Sequence, residues 1–264
     1  MTSRILGRNV YICSANDTST VLGGLSLNDS ITNANFYSMV EIVFIFDNDY
    51  TLCSENGTTV QRDDHLLKEG KYLINTAGSL QVNNEPWLFR VRAVGANAPP
   101  ESFRDAVRER DYRCVITGEP AGGYYDWTGY EPTFIFPLTH EQHWVTHGYD
   151  KWITIPGSRG SITSVQNGML LRSDIGTLFQ NYILSINPDD DYKIVFFRRN
   201  NYGIASTHLN QTFRDDPARP VDQLLRWHFR QAVLANVRGQ GEPCPDFSTP
   251  LPPHLIGVGE GGGR

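Results

Sequence analysis

Residues 131–144 read EPTFIFPLTHEQHW, and the reading of this stretch decides both the fold and the chemistry open to the chain. Phe134 and Phe136 stand about a buried turn, and His140 and His143 follow three residues apart. With His147 they make the pattern H-x-x-H-x-x-x-H. On a helix, positions three or four apart share a face, so His143 can pair with either neighbour. Two readings stand side by side. The histidines are one wall of a metal site, completed by a carboxylate such as Glu141 or Asp126, or they serve only the scaffold.

Downstream, VQNGMLLRSDIGTLFQ (165–180) reads as a loop running into a helix, with Leu170, Leu171, Ile175, Leu178 and Phe179 on its buried side. YILSI and YKIVFF, separated by NPDDD, read as a hairpin. VDQLLRWHFRQAVLANV, with Pro220 before it, is the clearest amphipathic helix in the chain. Upstream, FRDAVRERD predicts a helix and RCVITGEP a short strand entering a tight turn.

From residue 9 to 92 the chain alternates short β-segments with turn residues: VYIC (10–13), IVFIF (42–46), YTLC (50–53), KYLI (71–74), SLQV (79–82) and WLFRVR (87–92). DND (47–49) and TAG (76–78) read as hairpin connections. TNANFYSMVEIV is two-sided: Phe36, Met39, Val40 and Val43 follow helical spacing behind a Thr/Asn cap, yet the β-branched run continues as a strand. VGANAPPES (94–102) has the composition of a linker. The expected class is α+β, with an N-terminal β-rich domain over residues 1–95, a second domain over 101–238 and a loose Pro/Gly-rich tail over 239–264.

The 264 residues, 39% hydrophobic and 20% charged, suffice for a sizeable core. Nothing approaches eighteen consecutive apolar residues, and MTSRILGRNVYICSAND lacks the apolar run of a signal peptide, so an intracellular, cytoplasmic protein is expected, away from membranes. Cys13, Cys53, Cys114 and Cys244 are scattered without a CxxC, which fits reduced thiols. A net charge of −6 gives no support to a nucleic-acid partner, because phosphate binding needs a basic footprint. The arginines between 198 and 219 are interrupted by Asp215 and Asp216. A small-molecule substrate is the partner expected, and a homodimer is open.

Four stretches resemble the fungal branch of the HNH endonucleases: RCVITG (113–118), IFPLTHEQHW (135–144), QNGMLLRSDI (166–175) and YKIVFF (192–197). ITNANFYSMVEIVFIF (31–46) is similar to the domain that precedes the nuclease core in those proteins. The resemblance implies a ββα-metal core between residues 110 and 197, followed by a C-terminal helix. In the family a histidine ending the first strand deprotonates water, an asparagine fixes the loop, and a histidine on the helix helps hold one divalent metal. Carried onto this chain, those positions are Phe134, Asn167 and Gly176, and the acidic residue one turn later is Gln180. Phenylalanine cannot accept a proton, and glycine has no side chain. The resemblance therefore implies an HNH-like fold that has lost the family's nuclease chemistry, with no metal and no cofactor. A nuclease with relocated ligands and a non-catalytic binding or scaffold protein are the alternatives.

Between residues 124 and 152 stand Tyr124, Tyr125, Trp127, Tyr130, Phe134, Phe136, Trp144, Tyr149 and Trp152, well above the chain's 11% aromatic content. Such a concentration is either a ring-packed core or the lining of a cavity for a flat apolar ligand. The second reading makes the chain a metal-independent cyclase, isomerase or lyase acting on an apolar small molecule in fungal natural-product biosynthesis. His140, His143, Asn167 and Gln180 are then the catalytic candidates, and Trp127, Phe134, Phe136, Trp144, Arg172 and Gly176 the substrate-binding ones. On a helix Gln180 lies one turn beyond Gly176 and Arg172 one turn before it. Glycine at 176 is expected to open volume beside the Phe134 ring. Arg172 and Asp174 are also placed to pair with each other, and Cys114 to be a small buried residue.

Overall fold

A computed structural model of the chain describes residues 6–28, 30–88, 99–123, 126–198 and 202–239. Tyr124, Tyr125, most of the expected strand at 87–92, most of the linker at 94–102 and the tail from residue 240 lie outside the described residues.

The N-terminal part opens with an antiparallel hairpin of β1 (Val10–Ser14) and β2 (Asp17–Leu25). Helix α1 (Asn33–Val43) follows, begun by a capping box in which Thr32 and Asn35 satisfy each other's backbone amides. It turns extended at Phe44, so the two-sided stretch is helix first and then strand β3 (Phe44–Phe46). Strands β4 (Tyr50–Ser54), β5 (Gly70–Thr76) and β6 (Leu80–Val82) complete this part. The main sheet has the order β2-β1-β5-β4, with β1 parallel to β5.

The pairings β3–β6 and β4–β5 share one continuous register, from Phe44 opposite Val82 to Ser54 opposite Tyr72. The expected hairpin connections DND and TAG are therefore corrected: they face each other midway along a single ribbon. There the Asp47 carboxylate accepts from the Ser79 backbone amide (2.6 Å) and hydroxyl (2.8 Å) in place of ladder bonds. Its oxygen occupies the space a Cβ at Gly78 would need.

The second part begins with α2 (Glu101–Asp111), which closes on Tyr112 in the left-handed conformation. RCVITGEP is not a strand. A Cys114 carbonyl accepting from Gly118 (2.8 Å) and a Glu119 carbonyl accepting from Cys114 (2.9 Å) close it into a turn, reversed at Gly118 with φ of +74°. Strand β7 (Tyr130–Phe134) is followed by α3 (Glu141–Thr146) and several single turns up to Asn167. Strand β8 (Gly168–Arg172) occupies the first half of the expected loop-to-helix run, and α4 (Ser173–Gln180) the second. The hairpin β9 (Leu184–Asn187) and β10 (Lys193–Phe196), the short α5 (Gln211–Arg214) and the long α6 (Asp222–Val237) end the fold. The class is α+β. Among the described residues no helix is long and apolar enough to cross a membrane.

Two hydrophobic clusters form the interior, and α6 belongs to both. Leu224, Leu225 and Trp227 pack with β7, β8 and α4. Phe229, Ala232, Val233, Ala235 and Val237 pack with β1, α1 and β5, joined by Tyr182, Val195 and Phe197. Arg8, buried, donates to the carbonyls of Asn236 and Gly239 at the end of the helix, where cationic groups are favoured. Burial lowers its guanidinium to about 10.

One buried ion pair anchors the chain entering β8. All five N–H donors of Arg110 are used: two on Asp111 (2.6 and 2.8 Å) and one each on the carbonyls of Val165 (2.9 Å), Gly168 (2.7 Å) and Ala218 (2.8 Å). Asp111 also accepts from the Leu170 amide at 2.7 Å. Burial pushes its carboxyl upward against the pull of Arg110.

Candidate functional site

The hairpin β7–β8 places Tyr130 opposite Arg172 and Phe134 opposite Gly168, and α4 then folds back across it. Successive strand side chains point to opposite faces. Thr133 lies on the face that α4 covers: a Cβ at Gly176 would stand 3.3 Å from the Thr133 hydroxyl and 3.7 Å from Leu171 Cβ. Phe134 lies on the other face, its ring stacked on Phe103 of α2 with centroids 3.9 Å apart. Phe103 in turn covers Gly168, where any Cβ would collide with its ring.

The expectation that glycine at 176 opens volume beside the Phe134 ring is thereby corrected. Its neighbour is Thr133, and Phe134 is spent on packing against α2. Arg172 is also misplaced by a helical reading. It is the last, extended residue of β8, four strand positions from the Gly168 end, or about 13 Å at ~3.3 Å per residue. Its guanidinium holds Asp174 (2.7 and 2.9 Å) and Glu119, as the expected pair required. Arg172 in turn holds the Asp174 carboxyl below its ordinary range. Gln180 ends α4, half-buried.

Asn167 is a staple. Its amide oxygen accepts from Phe136 N (2.8 Å), and its amide nitrogen donates to the carbonyls of Phe136 (3.1 Å) and Ile162 (2.8 Å). Fully buried with these bonds made, it locks both ends of the 135–167 excursion together and has little left to offer a ligand.

The aromatic concentration resolves mainly into core. Phe136 touches Trp144 (centroids 5.2 Å), Tyr149 (5.5 Å) and Trp227 of α6 (4.6 Å), and Tyr149 stacks on Trp152 (4.3 Å). Trp144 is 1% exposed, and its indole donates to the Ser161 hydroxyl at 3.0 Å. Trp127 is half-buried against the same core, under the Arg108 guanidinium at 5.1 Å. Phe134, Phe136 and Trp144 are thus spent on the packing of one hydrophobic cluster, with Trp127 at its edge.

The histidines do come together, without converging as ligands. His143 and His147 stack at 3.8 Å, with Phe136 at 6.0 Å and Tyr149 at 5.8 Å from His143. His140 is half-buried at the N-terminal boundary of α3. Among the described residues no three His, Cys, Asp or Glu side chains gather as a metal would need. With Phe134 and Gly176 in the remaining places, the side chains present do not fit the metal of an HNH centre.

Burial, then the charges of His147 and His140, lower His143 below the ordinary imidazole range, against the opposing pull of Glu85. A folded value below the unfolded one means that stability is whole above pH ~6.5 and falls as acid protonates the ring. Unfolding free energy measured from pH 7.5 to 5 is therefore expected to decline, and His143→Gln to flatten that decline. An identical pH profile in wild type and variant would refute the assignment.

Two groups escaped the sequence reading. Thr133 was discoverable from strand alternation alone, as the residue facing opposite to Phe134. Glu85 reaches the region only through α6, where it pairs with Arg230 (2.6 Å), and no local pattern links it to residue 143.

Comparison with known families yields two matches. Residues 7–81 match a family model described as a domain of unknown function (DUF8573), and residues 114–187 match the family model for HNH endonucleases. The second covers β7, β8, α4 and β9, so this part of the chain is HNH-like in sequence as well as in its strand–strand–helix order. No curated protein and no solved structure gives a match.

Proposed function

We propose that this chain is an HNH-fold protein that has lost phosphodiester cleavage and acts by binding. The observation that carries the reading is the occupancy of the ββα core. Phe134 stacks on Phe103, Gly176 presents no donor to Thr133, and Asn167 spends its amide on backbone groups. Neither a base nor a ligand set remains where the family's reaction would need them.

A second reading, the metal-independent cyclase or isomerase of an apolar small molecule in fungal natural-product biosynthesis, is favoured by one arrangement. His143 lies half-buried against Phe136 and Tyr149, and Glu85 acts on the titration of both His143 and Tyr149. An acid/base pair against an aromatic wall is what such a reaction uses.

Purified protein is expected to leave plasmid DNA uncut with magnesium, manganese or zinc present. Cleavage that vanishes in His143→Ala would overturn the proposal and favour relocated ligands. A companion pair of variants tests the geometry. Thr133→His with Gly176→His puts two imidazoles on one face and should raise zinc affinity about tenfold or more. Phe134→His with Gly176→His should not, because residue 134 faces α2.

A further inference from the structure

The sequence holds two Asn-Gly dipeptides, Asn56-Gly57 and Asn167-Gly168. Asparagine before glycine is open to intramolecular attack, because no side chain shields the glycine nitrogen from the asparagine amide carbon. The fold treats the two pairs in opposite ways. Asn167 is fully buried with its amide bound to backbone groups, and a Cβ at Gly168 would stand 2.4 Å from the Phe103 ring. Asn56 and Gly57 are exposed, and a Cβ at Gly57 would meet nothing within 4 Å.

The exposed pair sits at the end of a hairpin that joins β4 to residues 58–60. Ser54 N donates to the Thr58 carbonyl (2.8 Å) and Gly57 N to the Ser54 carbonyl (2.9 Å), with Gly57 reversing the chain at φ of +84°. Asn56 Oδ1 accepts from the Ser54 hydroxyl (2.6 Å) and from the Thr58 amide (3.1 Å). The second bond closes a turn in which the side-chain carbonyl spans the Gly57 peptide. Both donors draw electrons from Cγ and hold the charge that develops on Oδ1 when a nucleophile adds, as an oxyanion hole does. The Gly57 nitrogen must first leave the Ser54 carbonyl, and at an exposed chain reversal such an opening costs little. At Asn167 the same opening has to part both ends of the 135–167 excursion inside the core.

We propose that Asn56 is a site of self-modification: in the folded chain it deamidates through a succinimide, with water as co-reactant, while Asn167 is spared. The Gly57 nitrogen gives its proton to solvent and forms a bond to Asn56 Cγ. The Cγ–Nδ2 bond breaks, and the amide nitrogen takes up a proton and leaves as ammonia. Water then opens the ring. Breaking the new N–Cγ bond leaves aspartate, and breaking the original peptide N–C bond leaves isoaspartate, whose main chain runs through Cβ and Cγ. In either case water is taken up and ammonia released. Aspartate keeps an acceptor for Ser54 and Thr58. Isoaspartate lengthens the main chain by a methylene, which shifts the Gly57 amide off the Ser54 carbonyl and loosens the cover that 58–60 gives to the edge of β4.

The test is peptide mapping by mass spectrometry of the full chain aged in mildly alkaline buffer, with a parallel sample in urea. In the folded sample the Asn56 peptide is expected to gain about 1 Da and to divide into aspartate and isoaspartate forms. It should do so at least about tenfold faster than the Asn167 peptide, whereas in urea the two sites should convert at similar rates. Asn56→Gln should abolish the change in its own peptide and leave the Asn167 peptide as it was. Far-UV circular dichroism checks that the aged protein is folded. An Asn56 peptide unchanged in the folded chain while the urea sample converts, equal rates at both sites in the folded chain, or aspartate formed without isoaspartate would each overturn the proposal.

Discussion

Asp111→Ala is expected to lower the unfolding free energy by about 3–5 kcal/mol, the cost of leaving a buried charge without its partner. Its side chain is fully buried, and that of Arg110 is 4% exposed. Removing the carboxylate strands a guanidinium whose other three donors are fixed on the carbonyls of Val165, Gly168 and Ala218. It also frees the Leu170 amide, which has Asp111 as its acceptor. The loss is therefore felt in α2 and at the start of β8 together. Asp111→Asn keeps the shape and an acceptor oxygen and should lose less than the alanine. Urea unfolding followed by tryptophan fluorescence measures both, and a loss below about 1 kcal/mol for the alanine would show that the pair is dispensable.

The fragment 1–98 is expected not to fold, although a family model covers residues 7–81 as one unit. Its core takes Phe229, Ala232, Val233, Ala235 and Val237 from α6 and Tyr182, Val195 and Phe197 from around the β9–β10 hairpin. Burial of such side chains contributes about 1.5–3 kcal/mol each for the larger ones, comparable in total with the whole stability of a domain. Polar links would be lost too: Lys193 donates to Asn35 (3.0 Å), Asn28 to the Phe196 carbonyl (2.6 Å) and Arg238 to the Asn83 carbonyl (2.9 Å). The fragment should show no cooperative thermal transition by far-UV circular dichroism. In the full chain, Phe229→Ala should lower a single transition by about 3–5 kcal/mol and not split it in two. A fragment that melts cooperatively would mean that α6 is only docked onto a domain able to stand alone.

Much was legible before any coordinates. Helical spacing behind a Thr/Asn cap pointed to α1 and the β-branched run after it to β3, in a stretch that the sequence left two-sided. The Pro220 signal and the apolar stripe after it announced α6. NPDDD between two apolar runs marked the β9–β10 hairpin. These elements follow from local rules: a cap, a period of 3.6, a turn composition. That Phe134 and Gly176 stand where the resemblance places the family's histidines is likewise a reading of the sequence motifs.

What the tertiary structure alone decided is which residues meet. DND and TAG have turn composition, yet they face each other across one ribbon because Asp47 substitutes for the missing ladder bonds. Arg172 sits at helical spacing from Gly176, but the backbone at 168–172 is a strand paired with β7, so its side chain leaves the helix face. Phe134 and Thr133 are adjacent in the chain and face opposite ways, which gives the first to α2 and the second to α4. The aromatic run between 124 and 152 had composition for a pocket or a core, and Trp227, 91 residues beyond the Phe136 it touches, helps to make it mainly core. Local sequence specifies the backbone conformation and the residues available. The partner of each side chain depends on contacts distant in the chain, and those are set only when both hydrophobic clusters close around α6.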